Sequence, residues 1–245
     1  MVLEGIVKAA YGEKRAGRSK FVIVAPHGAG DDLYSKGIAK ELARILDAYC
    51  VVNDQFKKPK AWQRANSIMR RVDFNNLRQK KECEEMRQFY DDIAEYCRQA
   101  RQYAAGQHNG KQRALVVYIH GMRNRGSMGM DIGIGMKWNK HQQKYQGSDE
   151  HPAAGRNSGV PRANVEMAVG FRRGLDQVLQ GQHRKRAWMG KRFPAWDRRN
   201  GIQYHAGSQD HSMQIEICRD MRREGNYKQV AAAIAQALLQ NYARL

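Results

Sequence analysis

Acidic residues are scarce in this chain. Only 24 Asp and Glu stand against 43 Lys and Arg in 245 residues, a formal charge of +19. That imbalance points outward, to an anionic partner: a carboxylate-rich substrate, nucleic acid or an acidic polymer. Cysteine is sparse as well, and Cys50, Cys83, Cys97 and Cys218 include no C-x-x-C pair. Cys83 and Cys97 fall on one expected helix, where their spacing in sequence corresponds to roughly 21 Å, too far to bridge. A disulfide framework and a cysteine-built zinc site are both excluded. No apolar run approaches the ~20 residues that a membrane-spanning helix needs. The opening MVLEGIVKAAYGEKR lacks the apolar core of a signal peptide, so a cytoplasmic protein with no membrane partner is expected. No G-x-S-x-G occurs, which removes the serine esterase that an HGAG oxyanion loop would otherwise suggest. The same loop lacks the Lys-Ser/Thr ending of a phosphate-binding P-loop. Neither an internal repeat nor a linker breaks the chain. With 42% apolar residues to build a core, one domain over residues 1–245 is expected.

What is present reads as a layered α/β fold. Residues 21–25 (FVIVA) form a continuous apolar, β-branched run, as a buried strand should, and break at Pro26 into HGAGDD. A helix follows with Ile38, Leu42, Ile45 and Leu46 on one face, then a short strand at Tyr49–Val52. This order predicts a parallel β-α-β start. A long helix is expected over 80–105, carrying Met86, Phe89, Ile93, Cys97 and Ala100. The strand ALVVYI (114–119) should end at His120-Gly121. Residues 123–162 read as long loops over one end of the sheet, with a strand at DIGIG. An amphipathic helix spans 163–180 through Val165, Val169, Phe171, Leu175, Val178 and Leu179. Segment 181–205 is basic and aromatic, MQIEIC (213–218) alternates like a strand, and a helix over 227–242 carries Val230, Ile234, Leu238 and Tyr242.

Two strand patterns, FVIVAPHG and ALVVYIHG, finish in the same His-Gly pair. Ligands of open parallel sheets bind outside the carboxyl ends of the strands, so His27 and His120 converge on one crevice. A lone histidine at a strand end is more often structural; the repeated placement favours a metal. Imidazole is the commonest zinc ligand, and a catalytic zinc takes three protein ligands. Asp31 and Asp32, in the loop just after His27, both offer the third. In HSMQIEICR, Gln214 and Glu216 share one strand face while Ile215 and Ile217 pack inward. Glu216 is thereby presented as a general base, against the blander reading of a salt-bridged surface carboxylate. In RRVDFNNLRQK, Asp73, Asn75, Asn76 and Arg78 crowd together, and a guanidinium suits bidentate carboxylate recognition.

The order PHGAGDD, VDFNNLR, VVYIHG, DIGIG and HSMQIEICRDMR, spanning residues 21–222, resembles the N-formylglutamate amidohydrolase family. That family is related to the zinc carboxypeptidase and aspartoacylase group and to poly-γ-glutamate hydrolases. The resemblance implies a three-layer αβα fold, phosphorylase/hydrolase-like, with a mixed and mostly parallel central sheet. It implies one Zn²⁺ per chain, held by His27, His120 and Asp32, with Asp31 as the fallback. Glu216 would be the catalytic base, and Arg78 would bind a substrate carboxylate or the developing oxyanion. Asn75 or Asn76 would take the asparagine role, and His211 and Gln214 would lie on the substrate side. The implied reaction is hydrolysis of an amide in a small acidic substrate, an N-acyl amino acid or a γ-glutamyl or acidic peptide. Three departures mark the chain as divergent: Asp in place of the usual metal Glu, an extra residue in VDFNNLR, and Ile119 where an Asp is common.

A basic nucleic-acid-binding protein without hydrolase activity is the rival expectation. QHRKRAWMGKRFPAWDRRNG interleaves cations with Trp188, Phe193 and Trp196, as stacking surfaces do. The other histidines sit in polar stretches, with His151 the one near the substrate side. Nothing in the sequence specifies an oligomeric state.

Overall fold

The computed structural model describes residues 5–30, 32–58, 72–107, 113–147 and 159–242. Its strands are β1 (Ile6–Ala9), β2 (Gly12–Arg15), β3 (Phe21–Ala25), β4 (Tyr49–Asn53), β5 (Leu115–Met122), β6 (Met128–Gly133), β7 (Met136–Asn139), β8 (Lys144–Gly147), β9 (Arg186–Met189) and β10 (His211–Cys218). Its helices are α1 (Ser35–Ile45), α2 (Glu84–Gln107), α3 (Val165–His183) and α4 (Tyr227–Tyr242). Eight strands form one mixed sheet in the order β1-β2-β4-β3-β5-β10-β6-β9, and β7 and β8 make a separate hairpin. The centre, β4-β3-β5-β10, is parallel throughout. β6 joins β10 antiparallel, β9 runs parallel to β6, and the β1–β2 hairpin caps the other side antiparallel.

Strand alternation divides the core between the two faces. Ile23, Val117, Ile119, Ile215 and Ile217 pack beneath α1, α3 and α4. Val22, Val24, Val116 and Tyr118 point the other way, against α2 and the segment around Phe74. The result is the expected three-layer αβα arrangement around a mixed, mostly parallel sheet. FVIVA is buried at every position, as a strand covered on both faces must be. Met86, Phe89, Ile93, Cys97 and Ala100 form the buried stripe of α2.

Several sequence expectations are corrected. β5 runs one residue past the expected His120-Gly121 end, to Met122, because β10 runs alongside and pairs with every residue to the end. Ile45 is exposed, its expected place on the buried face of α1 taken by Ala39 and Ala43. The long helix is two elements, a short 3₁₀ turn at Leu77–Lys81 followed by α2, and Cys83 falls between them. Residues 123–162 are not simply loops. β6 begins at Met128, ahead of DIGIG, and fills a place in the central sheet, while β7 and β8 turn back beside it. β9 and the β1–β2 hairpin had no counterpart in the sequence reading. Each of these strands is only four residues long, too short to carry a usable period of two, and β2 (GEKR) has no apolar residue at all.

Candidate functional site

The crevice lies at the carboxyl ends of the parallel strands. β3 and β5 are neighbours, and the chain leaves β3 at Pro26-His27, so the rings of His27 and His120 come to face each other with centroids 5.2 Å apart. Both are almost completely buried. The turn after His27 folds back on itself: the Asp32 amide donates to the His27 carbonyl at 3.4 Å, and the Ser35 amide to the Asp32 carbonyl at 3.0 Å. Tyr34, in the left-handed region at φ 61°, swings the backbone from this turn into α1. Asp32 is thereby aimed at the end of β5. Its Oδ2 accepts the Gly121 N–H at 2.8 Å and lies 3.7 Å from His120 Nδ1. Ligand atoms of His27, Asp32 and His120 all fall within 4.8 Å of one another.

This donor set fits a divalent metal. Two imidazoles and a carboxylate are the mixed N/O ligands of a catalytic zinc with an open position. His120 Nε2 is buried with no hydrogen-bond partner among the described residues, an expensive state for a polar nitrogen unless something accepts its lone pair. Burial, the largest influence on Asp32, pushes its pKa up. The His120 interaction, the charges of both imidazoles and the Gly121 N–H together outweigh burial and hold the carboxyl below the ordinary range. Asp73 adds a further carboxylate. Its Oδ1 stands 3.5 Å from His27 Nε2 and its Oδ2 3.5 Å from Lys58 Nζ.

Glu216 is paired in register with His120 on one side and Asp131 on the other. It shares the face of Gln214, as its strand parity requires. Burial raises its pKa above the ordinary value, and the Asp32 charge adds to the rise against the opposing pull of His120, His27 and Lys58. Asp131 is fully buried and accepts the backbone N–H groups of Lys191 (3.1 Å), Arg192 (2.6 Å) and Phe193 (2.9 Å). It therefore pins the start of the basic-aromatic loop beside Glu216.

Asn75, Asn76 and Gln214 are brought to this same face, where they tie two loops together. Asn75 Oδ1 accepts the Gly201 N–H at 3.0 Å, and Asn76 forms a bridge with Asn200 while capping the 3₁₀ turn. Gln214 accepts from Asn200 Nδ2 at 2.9 Å and donates to the Phe193 carbonyl at 3.2 Å. Arg78 is exposed on the short 3₁₀ turn. His211 is not brought to the cluster. It opens β10 opposite Leu115 and sits roughly 17 Å along the strand from Glu216, against Arg113. The expected substrate-side place for His211 is thus corrected: register puts it at the amino end of the sheet. Asp31 and His151 lie outside the described residues.

Among the described residues a second group, Cys97, His205 and Asp210, has ligand atoms equally close. Its donors are already committed. Asp210 is ion-paired with Arg101 and accepts the Ala114 N–H at 3.0 Å, and His205 Nε2 meets the Tyr118 hydroxyl at 3.0 Å. The Arg101 and Arg162 charges also oppose a cation there. It is a packed polar core.

Lys58 and Asp131 were not singled out from sequence, and Asp73 was named only as part of the VDFNNLR cluster, without a place beside His27. For Asp131 the signal was present: an acid inside an apolar, glycine-rich strand is buried only when fully satisfied.

No family model matches the chain, and no curated protein matches it in sequence. Its fold does match solved structures. Gene product Atu2144 from Agrobacterium tumefaciens superposes with a TM-score of 0.55 at 12% identity, over 93% of this chain and 92% of that one. N-formylglutamate amidohydrolase from Ralstonia eutropha JMP134 superposes with a TM-score of 0.51 at 10% identity, over 96% and 95%. The resemblance read from motif order extends to the fold.

Proposed function

We propose that this chain is a metal-dependent hydrolase of an amide bond in a carboxylate-bearing substrate. The substrate class is N-acyl amino acids such as N-formylglutamate, or γ-glutamyl and other acidic peptides. The observation that carries this reading is the convergence of His27 and Asp32, from the turn after β3, with His120 of β5, and Glu216 registered directly beside His120. A structural metal has no use for such a carboxylate. The fold shared with an N-formylglutamate amidohydrolase supports the same class.

His27, Asp32 and His120 would hold the metal, which when bound supplies a Lewis acid that polarises a carbonyl and eases deprotonation of water. The rest falls to the side chains. Glu216, its carboxyl already biased toward protonation by burial, accepts a proton from water as the water oxygen bonds to the amide carbon. It then returns the proton to the nitrogen as the C–N bond breaks, leaving a carboxylate and an amine. Asp73 holds the His27 ring in place. Arg78, on the rim built by the 72–81 and 190–201 loops, is the group assigned to the substrate carboxylate.

Glu216→Gln tests the assignment. Metal content should stay at the wild-type level while turnover of acidic N-acyl amino acids or γ-glutamyl peptides falls at least ~100-fold. Turnover within a few-fold of wild type would remove Glu216 from the chemistry.

A further inference from the structure

Hydrolase chemistry leaves the cations and rings on the β9 side of the molecule without a task. There the β7–β8 hairpin, which belongs to no larger sheet, stands against β9 and α3 and encloses a cleft of about 540 Å³. This is within the ~300–1,000 Å³ range of ligand sites. The hairpin turn is held by its own side chains. Asn139 Oδ1 accepts the N–H groups of His141 and Gln142, and Gln146 Nε2 donates to Gln142 Oε1 at 2.8 Å. An isolated two-stranded hairpin is marginal in water. This one presents Trp138, 38% exposed, edge-on to Tyr145 with centroids 5.0 Å apart.

Across the cleft Trp188 projects from β9 with the Lys191 ammonium 3.4 Å over its ring, and its indole N–H has no acceptor among the described residues. Lys137, Lys140 and Arg172 complete the walls; no carboxylate lines them among the described residues, and Arg172 has its partner Asp176 behind it on α3 at 3.8 Å. The lysines Lys137, Lys140 and Lys191 favour an anion, and the exposed Trp138 ring favours a planar partner. An acidic peptide would use the first feature and waste the second. A single strand of nucleic acid uses both, its phosphates meeting the lysines and its bases stacking on the indole.

We infer that the cleft between the β7–β8 hairpin and β9 binds single-stranded nucleic acid. This function is additional to the hydrolase site and does not depend on it. The cleft flanks that site, because the Lys191 amide is held by Asp131, the strand neighbour of Glu216.

The test is fluorescence anisotropy of a labelled short oligothymidylate with the full-length protein across a salt series. Binding should weaken steeply with salt. Trp138→Ala should weaken it about tenfold with the salt slope unchanged, as loss of one stacking partner does. Lys140→Gln should make the slope shallower, which holds the proposal to account even if the tryptophan variant folds poorly. Circular dichroism and hydrolase activity of both variants should match wild type. Absence of binding at low salt would overturn the inference. So would poly-glutamate binding as tightly as the oligonucleotide with no sensitivity to Trp138→Ala, which would make the cleft a seat for acidic polypeptide.

Discussion

The glycine of each His-Gly pair answers a packing demand. A Cβ on Gly28 would stand 2.8 Å from the Asn53 carbonyl oxygen and 2.9 Å from Val52 Cγ1, so the backbone after His27 can lie against β4 only without a side chain. At Gly121 the same added atom would strike the Arg222 guanidinium, which is anchored on the carbonyls of Ile217, Leu33 and Met122. Each histidine thus stands beside a residue whose smallness lets a neighbouring element close in. His205 makes a different point at the same scale. Burial, then the charges of Arg162 and Arg101, lower its pKa from 6.5 to about 3, so it is neutral in the fold. Between those values the unfolded chain binds the extra proton. Stability is therefore intact above pH 6.5 and is lost as pH falls toward 3, with a slope approaching ~1.4 kcal/mol per unit for one such group. The Tyr118 hydroxyl meets its Nε2 at 3.0 Å, and Cys97 and Asp210 lie close to the same ring. Denaturant unfolding at pH 7 and pH 5 should show a smaller acid loss for His205→Gln than for wild type. His211, lowered likewise by burial and by Arg113 and Arg162, contributes a residual loss in both proteins. An equal loss in the two would contradict the account.

Among the elements, the loop over 190–201 is tied at its start to Asp131 by three main-chain hydrogen bonds. Removing that carboxylate orphans three main-chain donors, and each unsatisfied buried group costs about 1–3 kcal/mol. Asp131→Ala should leave the sheet folded but open the loop, so limited trypsin digestion should cut early after Lys191, Arg192, Arg198 or Arg199. A wild-type digestion pattern would show that the loop is held by something else. The elements that sequence revealed were those with a long or strongly apolar pattern. FVIVA, the stripe of α2 and the alternation of β10 are written in residue type alone. β9 and the β1–β2 hairpin exist because neighbours supply their hydrogen bonds, and local sequence does not record that. The same distinction governs the site. His27, His120 and Glu216 sit at a strand end or at fixed strand parity and could be picked out as candidates, whereas the loop after His27 left Asp31 and Asp32 both open and only the family resemblance favoured Asp32. Asp73 and Lys58 reach His27 only through tertiary folding, and the displacement of His211 to the amino end follows from a register that no local motif encodes.

For the molecule as a whole, the sheet order puts the turns after β3 and β5 side by side at one end, where open α/β sheets place their ligands. Within a net charge of +19, Lys58 stands at that end beside Asp73, and at the β9 side lysines line a separate cleft. The proposed chemistry requires a metal held by residues from β5 and from the turn after β3. The most direct measurement is elemental analysis of the purified full-length protein beside His120→Ala, both after incubation with zinc and removal of excess. The account predicts about one zinc per wild-type chain and a loss of most of it in the variant. Wild-type protein that takes up no metal, or a variant that keeps its full complement, would contradict it.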